Sequence, residues 1–154
     1  MKIKNKSALI ISVLIPLAVG SLSSLLSGNA SGYSSLNKPP LSPPSFLFPI
    51  VWTILYVLMG ISSFIIYESR SPKKDRALNL YRLQLFFNFF WSIIFFGWSL
   101  YLAAFLWLAV MIIIIALMIR QFLQISPAAG FLQVPYLIWC LFAAYLNLMI
   151  YLLN

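Results

Sequence analysis

The sequence predicts an all-α membrane protein, a bundle of five transmembrane helices. Three observations predict it. Hydrophobic residues make up 63% of the 154-residue chain and charged residues only 8%, where a soluble domain is about a quarter charged. The apolar residues gather into five stretches of about 20 residues, the length that crosses a bilayer core of about 30 Å. Lipid requires every backbone polar group to be bonded within the spanning structure, which admits helices or closed barrels, and the alternation of a barrel strand is absent.

The first stretch, about 8–26, follows Lys2, Lys4 and Lys6. A basic start, an apolar run and Gly28-Asn29-Ala30 also outline a cleaved secretory signal. The run is long for a signal and a hydrophobic chain follows it, so a span is expected. Within it Gly20, Ser24 and Gly28 recur every fourth residue, a stripe of small side chains that allows close helix approach inside the bundle or in a dimer. Asn29-Ala30-Ser31 fits the glycosylation acceptor pattern.

The second stretch covers about 46–67, the third 78–97, the fourth 101–119 and the fifth 129–153. These lengths leave room for one domain, and no repeat is visible. The connection 27–45 is the longest. Pro39-Pro40 and Pro43-Pro44 fix φ and extend the residues before them, which makes a stiff strap. With Tyr33, Phe46 and Phe48 to lay over a cavity, the strap reads as a lid rather than a plain linker.

Charge orients the bundle. Lys2, Lys4, Lys6, Arg70, Lys73, Lys74, Arg76, Arg82 and Arg120 share one side, and Lys38 alone marks the other. The positive-inside rule places the nine in the cytoplasm, with the N-terminus inside and the C-terminus outside. The net charge of +8 therefore serves topology and anionic headgroups. A nucleic-acid partner is not expected, because the charges flank helices and form no basic face with stacking aromatics.

Composition also limits chemistry. There is no His, one Cys (Cys140) and two acids, Glu68 and Asp75. Zinc sites, Ser-His-Asp or Cys-His nucleophiles and internal disulfides are excluded. Cys140 reads as a buried helix residue. No metal or resident cofactor is expected.

Function must rest on aromatics, amides and shape. Trp52, Tyr56 and Met59-Gly60 share one face of the second span. Gln84, Asn88, Trp91 and Phe95 share a face of the third, and Trp139, Ala143 and Asn147 a face of the fifth. Amides facing lipid would be costly, so Gln84, Asn88 and Asn147 face protein or a cavity. An apolar pocket with a few orienting hydrogen bonds fits these faces. Interhelical glue, amides bonded across helices with aromatics filling gaps, fits them equally. Trp98, at a span end, reads as an aromatic-belt residue. Trp107, in a span apolar all round, reads as a lipid or partner-chain contact.

Three pieces of sequence resemble one known family, the translocator proteins, also called peripheral benzodiazepine receptors or tryptophan-rich sensory proteins. Lys38-Pro39, Pro43-Pro44, Phe48-Pro49, Trp52, Leu55-Tyr56 and Met59-Gly60 resemble its loop and second helix. Gln84-Leu85, Asn88, Trp91 and Ile94-Phe95-Phe96-Gly97 resemble its third helix. Ser126-Pro127, Pro135-Tyr136-Leu137, Trp139, Phe142-Ala143 and Leu146-Asn147 resemble its fifth. The resemblance covers roughly residues 33–147 with order and spacing kept.

It implies a five-helix bundle, a homodimer, and a pocket beneath the first loop that binds protoporphyrin IX and other tetrapyrroles and isoquinoline or benzodiazepine drugs. Some bacterial members are reported to degrade protoporphyrin in light and oxygen. Trp52 and Trp139 match the pocket tryptophans and would serve such photochemistry. The implied ligand-binding set is Tyr33, Phe46, Trp52, Tyr56, Asn88, Trp91, Trp139, Phe142, Ala143 and Asn147, with Lys38 facing a ligand carboxylate. A transporter, or a stress sensor acting through a partner protein, is the alternative; the absence of an inverted repeat and of an intramembrane acid makes ion-coupled transport a poor match. One feature departs from the animal members: Tyr145 and Tyr151 have no basic residue after them, so the sterol-recognition pattern is incomplete. That departure points away from sterols and toward a bacterial cell membrane.

Overall fold

The computed structural model describes residues 5–28, 33 and 35–154. Lys2, Lys4 and the Asn29-Ala30-Ser31 pattern lie outside the described residues. The order of elements is α1 (Lys6–Ser27), α2 (Leu47–Glu68), α3 (Lys74–Ser92), α4 (Tyr101–Ile125), α5 (Pro127–Leu132) and α6 (Val134–Leu153). A π-helical turn, Ile93–Gly97, extends α3. The helices α5 and α6 together form one apolar run, Pro127–Leu153, so five helical runs are long and apolar enough to span a membrane.

Local chemistry sets the ends. The Asn5 side chain accepts from the Ala8 amide and caps α1, satisfying one of the free N–H groups of a first helical turn. The far end of α1 stops at Gly28, whose φ of 78° is the left-handed backbone that glycine adopts without strain. Ser126 caps α5 through the Ala129 amide, with Pro127 at its first position. Three bounds differ from those the hydropathy predicts. The helix α3 begins four residues earlier, at Lys74, because a charged turn of good helix formers does not register as apolar. The helix α4 runs past Arg120 to Ile125 and stops at Ser126-Pro127, since Pro disfavours helical geometry in the residue before it. The fifth span begins at Pro127 rather than 129 and is broken at Gln133.

The core gathers around α4, where Met111, Ile115, Met118 and Phe122 are fully buried. By contrast α1 buries only Pro16, Ser23 and Ser27. It lies against α2 at Gly60, where a Cβ would stand 2.7 Å from the Ser12 carbonyl oxygen. Trp107 corrects its sequence reading: its indole N–H donates to the Phe87 carbonyl at 2.7 Å and its ring stacks on Phe87, so it joins α4 to α3 within one chain.

Two contacts fix which connections share an end. Lys73 Nζ donates to Gln124 Oε1 at 2.9 Å, joining the charged connection after α2 to the end of α4. At the opposite end, the Asn37 amide donates to Asn154 Oδ1 at 3.1 Å, Asn154 Nδ2 donates to the Asn37 carbonyl at 2.9 Å, and the Tyr145 hydroxyl donates to the Pro40 carbonyl. The proline-rich loop is thus pinned to the last turns of α6.

Candidate ligand-binding site

A cavity of about 470 Å³ opens between α1, α2 and α3 at the loop end of the bundle. One wall is aromatic. Phe48, Trp52 and Tyr56 come from α2 at four-residue spacing, and Trp91 and Phe96 come from α3 and its π turn. Trp52 stacks on Tyr56 with centroids 5.5 Å apart and lies 6.4 Å from Trp91. The other wall is α1, which contributes Gly20, Ser21, Ser23, Ser24 and Ser27. The stripe of small residues read from the sequence as helix packing is therefore also a cavity wall.

The π turn decides which phenylalanine of α3 takes part. At α spacing, Phe95 follows Asn88 and Trp91 on one face. The wider turn, closed by the Trp98 amide on the Ile93 carbonyl at 2.9 Å, advances each residue through a smaller angle. Phe96 consequently enters the wall, and Phe95 is buried against Tyr101 at 5.1 Å. Single π turns inside α-helices occur often at functional sites.

Asn88 supplies the polar point. Its Oδ1 accepts from the Tyr56 hydroxyl at 2.7 Å and its Nδ2 donates to the Tyr136 hydroxyl at 2.9 Å. The Tyr136 hydroxyl in turn donates to Gln84 Oε1 at 2.7 Å. Three spans are tied through one amide. On α1, the Ser23 hydroxyl donates to the Phe89 carbonyl at 2.6 Å, and the Ser27 hydroxyl donates to the Ser23 carbonyl and lies 3.1 Å from the Ser92 hydroxyl. Gly20 lets the Tyr56 ring close on α1; a Cβ there would overlap the ring.

The loop forms the roof. Tyr33 is buried, its hydroxyl donates to the Pro43 carbonyl at 2.9 Å, and its ring meets Phe48 and Phe96 edge-on. Burial pushes the Tyr33 phenol above its ordinary value, with the Ser42 hydrogen bond opposing. Lys38 Nζ donates to the carbonyls of Tyr33 at 3.0 Å and Leu36 at 3.3 Å and lies 4.9 Å from the Tyr33 ring centre. Its ammonium is engaged by the loop itself.

The predicted residues separate into three groups. Trp52, Tyr56, Asn88 and Trp91 line the cavity, and Tyr33 sits over two of its phenylalanines. Trp139 and Phe142 lie beyond Phe48, and Ala143 is buried on the same helix. Trp139 meets Phe48 at 6.2 Å and Phe142 at 5.3 Å, and its indole N–H has no partner among the described residues. Asn147 is interhelical glue, accepting from Trp91 Nε1 at 3.1 Å and donating to the Tyr101 carbonyl at 2.8 Å. Phe46 is a correction. It is exposed, in line with exposed Ile50 and Ile54 at four-residue spacing, on a stripe that faces away from the cavity.

Sequence reasoning passed over Tyr136 as a site residue and gave Phe48 to the lid, where the structure makes it part of the cavity wall. Tyr136 carries a readable signal: Tyr136, Cys140, Ala143 and Asn147 recur at i, i+4, i+7 and i+11, and all four are buried. That stripe, and not the one through Trp139, is the inward face of α6. Among the described residues no cluster of His, Cys, Asp or Glu could hold a metal. The site can clasp a flat apolar body and bond its polar edge.

Comparison with known proteins agrees with this architecture. A family model described as TspO/MBR family matches residues 12–153. The chain is 38% identical to the tryptophan-rich protein TspO of Archaeoglobus fulgidus, over 97% of this chain and 99% of that one. It is 38% identical to the tryptophan-rich sensory protein of Cereibacter sphaeroides, covering 75% and 72% of the two chains. To the translocator protein of Ovis aries it is 37% identical, covering 75% and 70%. The five-span bundle and these similarities together identify the chain as a multi-pass membrane protein of the TspO/MBR family.

Proposed function

We propose that the chain is a membrane receptor for flat, largely apolar molecules of the tetrapyrrole class, protoporphyrin IX among them, and for isoquinoline and benzodiazepine drugs. The observation that carries this reading is the asymmetry of the cavity. An aromatic wall of Phe48, Trp52, Trp91 and Phe96 faces α1, where Gly20, Ser21, Ser23, Ser24 and Ser27 share the wall with Leu17 and Leu25. Such a slot suits a thin aromatic body, with Asn88 and the α1 hydroxyls at its edge. Each ring-on-ring contact would add about 0.5–1.5 kcal/mol beyond burial. A macrocycle needs more room than a bicyclic drug, and displacement of Phe48 toward the loop would join the cavity to Trp139, whose indole N–H would then meet the ligand.

The test is a titration with protoporphyrin IX in nanodiscs, read by tryptophan quenching, on the wild type and on Trp52→Phe and Phe48→Ala. Saturable binding, weakened several-fold in Trp52→Phe, is expected. Non-saturable quenching identical in all three proteins would end the proposal. Lys38→Met separates two roles for the loop cation. Since its ammonium braces the roof, diacid and diester porphyrins should weaken alike; a loss confined to the diacid assigns Lys38 to the ligand carboxylate.

Light-dependent degradation of the bound porphyrin is a second reading, favoured by Trp52 lying in ring contact with Tyr56, Trp91 and Tyr136. The pigment and oxygen would supply the chemistry and the aromatics an electron path. A defined absorbing product on illumination in air, lost in Trp139→Phe, supports it; bleaching identical to free porphyrin sinks it. The reading includes a homodimer, checked by cross-linking in nanodiscs, and a cytoplasmic N-terminus, checked by labelling single cysteines at positions 73 and 37 from each side.

A further inference from the structure

The chain of hydrogen bonds that begins at the cavity does not end at Gln84. Tyr56, Asn88, Tyr136 and the Gln84 carbonyl oxygen are joined in sequence. Beyond them, three buried side chains present four polar atoms with no partner among the described residues: Gln84 Nε2, Tyr81 Oη, and both Gln133 Nε2 and Gln133 Oε1. Gln84 and Gln133 are fully buried, and Tyr81 is only 6% exposed.

These residues lie within about one helical turn of the Gln84–Tyr136 bond. The helices α3 and α6 run parallel, because Gln84 meets Tyr136 and, further along both helices, Trp91 meets Asn147. Tyr81 precedes Gln84 by three residues on α3, about 4.5 Å toward the charged end at about 1.5 Å of rise per residue. Gln133 precedes Tyr136 by three and stands at the break just before α6. Ser63 stands beside Tyr81; its hydroxyl donates to the Gly60 carbonyl and keeps lone pairs that can accept from the phenol. Neighbouring Ser62 donates to the Ala129 carbonyl.

Two side-chain amides without full partners at membrane depth would each cost several kcal/mol in hydrocarbon. A site with two donors (Gln84 and Gln133 amides), an acceptor (Gln133 oxygen) and a phenol that serves as either is the polar surrounding a buried water needs, with two to four partners. We propose that Tyr81, Gln84 and Gln133 form an internal water-binding site that continues the Tyr56–Asn88–Tyr136–Gln84 chain from the cavity wall toward the charged end of the bundle. The site lies outside the aromatic cavity and holds whether or not that cavity binds porphyrins. Its ligand is water alone, since no charged group is among its partners.

The test uses the full chain in nanodiscs with side-chain amides labelled with 15N. Water-to-amide Overhauser contacts of the sign given by long-lived water are expected at the Gln133 and Gln84 NH₂ groups. They should persist in Tyr81→Phe, which removes exchange through the nearest phenol. Their absence, with direct contacts between the two amides instead, would overturn the proposal. Thermal unfolding gives an independent reading. If water bridges the groups, Gln133→Met and Tyr81→Phe should each lower the midpoint by a few degrees, and the double variant should lose no more than Gln133→Met alone. If the groups are simply unpaired, each substitution removes a buried polar cost. The midpoints then rise and the effects add, which also overturns it.

Discussion

Asn88 holds two tyrosines from two other helices, and among the described residues no other amide is bonded on both sides to side chains of different spans. Asn88→Ala leaves the Tyr56 phenol without its acceptor, at a cost of about 1–3 kcal/mol, while Tyr136 keeps its bond to Gln84. A clear fall in the unfolding midpoint is expected, together with weaker ligand binding. Gly20 makes the contrasting case. It bonds to nothing, yet the Tyr56 ring occupies the space a Cβ would need. Gly20→Ala should therefore push the Tyr56 hydroxyl off Asn88 and weaken binding several-fold, while circular dichroism shows the helices retained. Neither role was open to composition. Asn88 could be placed on an inward face by its spacing from Gln84 and Trp91, but its partners depend on how α6 is turned. The indole of Trp139 drew attention away from Tyr136.

At the scale of elements, the five spans were readable because hydropathy over about 20 residues is a direct statement about lipid. The irregular elements were not. The π turn at Ile93–Gly97 carries no composition of its own; it arises where the α3 end must pass Ser27, whose backbone a Cβ on Gly97 would touch at 3.4 Å. Deleting Gly97, which follows both phenylalanines, should restore α register and return Phe95 to the wall in place of Phe96. Helical content should be unchanged, and a titration should show altered preference between small isoquinolines and porphyrins. The break at Gln133 was equally silent, because α5 and α6 together read as one apolar run. The small-residue stripe of α1 was visible in the sequence, but its two uses, packing and cavity wall, share one pattern.

For the whole molecule, the polar groups sort by depth. Cations crowd one end, the proline-rich roof closes the other, and uncharged amides and phenols run between them. No His is present to titrate near neutrality, so affinity for an uncharged ligand such as a porphyrin diester should be flat from about pH 6 to 8. One donor in the roof is the Tyr33 phenol. Its value is raised by burial, so its stabilisation is complete below the ordinary phenol value of about 10 and is lost as pH rises through the folded value. Loop opening, followed by limited proteolysis across a pH series, should begin only in strongly alkaline solution. That the loop would lay an aromatic on the bundle was legible from its composition, and Tyr33 meets Phe48 and Phe96. The loop's anchorage was not legible, since Asn37 and Asn154 lie 117 positions apart in the chain.

That anchorage has a practical corollary for anyone who modifies the protein. The Asn37–Asn154 clasp makes the residue that follows α6 a mechanical handle on the roof. A fluorescent fusion or affinity tag appended after Asn154 would load this clasp, whereas one placed before α1 would leave it alone. Two otherwise equivalent reporters should then disagree on ligand off-rates, and the one fused after Asn154 should release ligand faster.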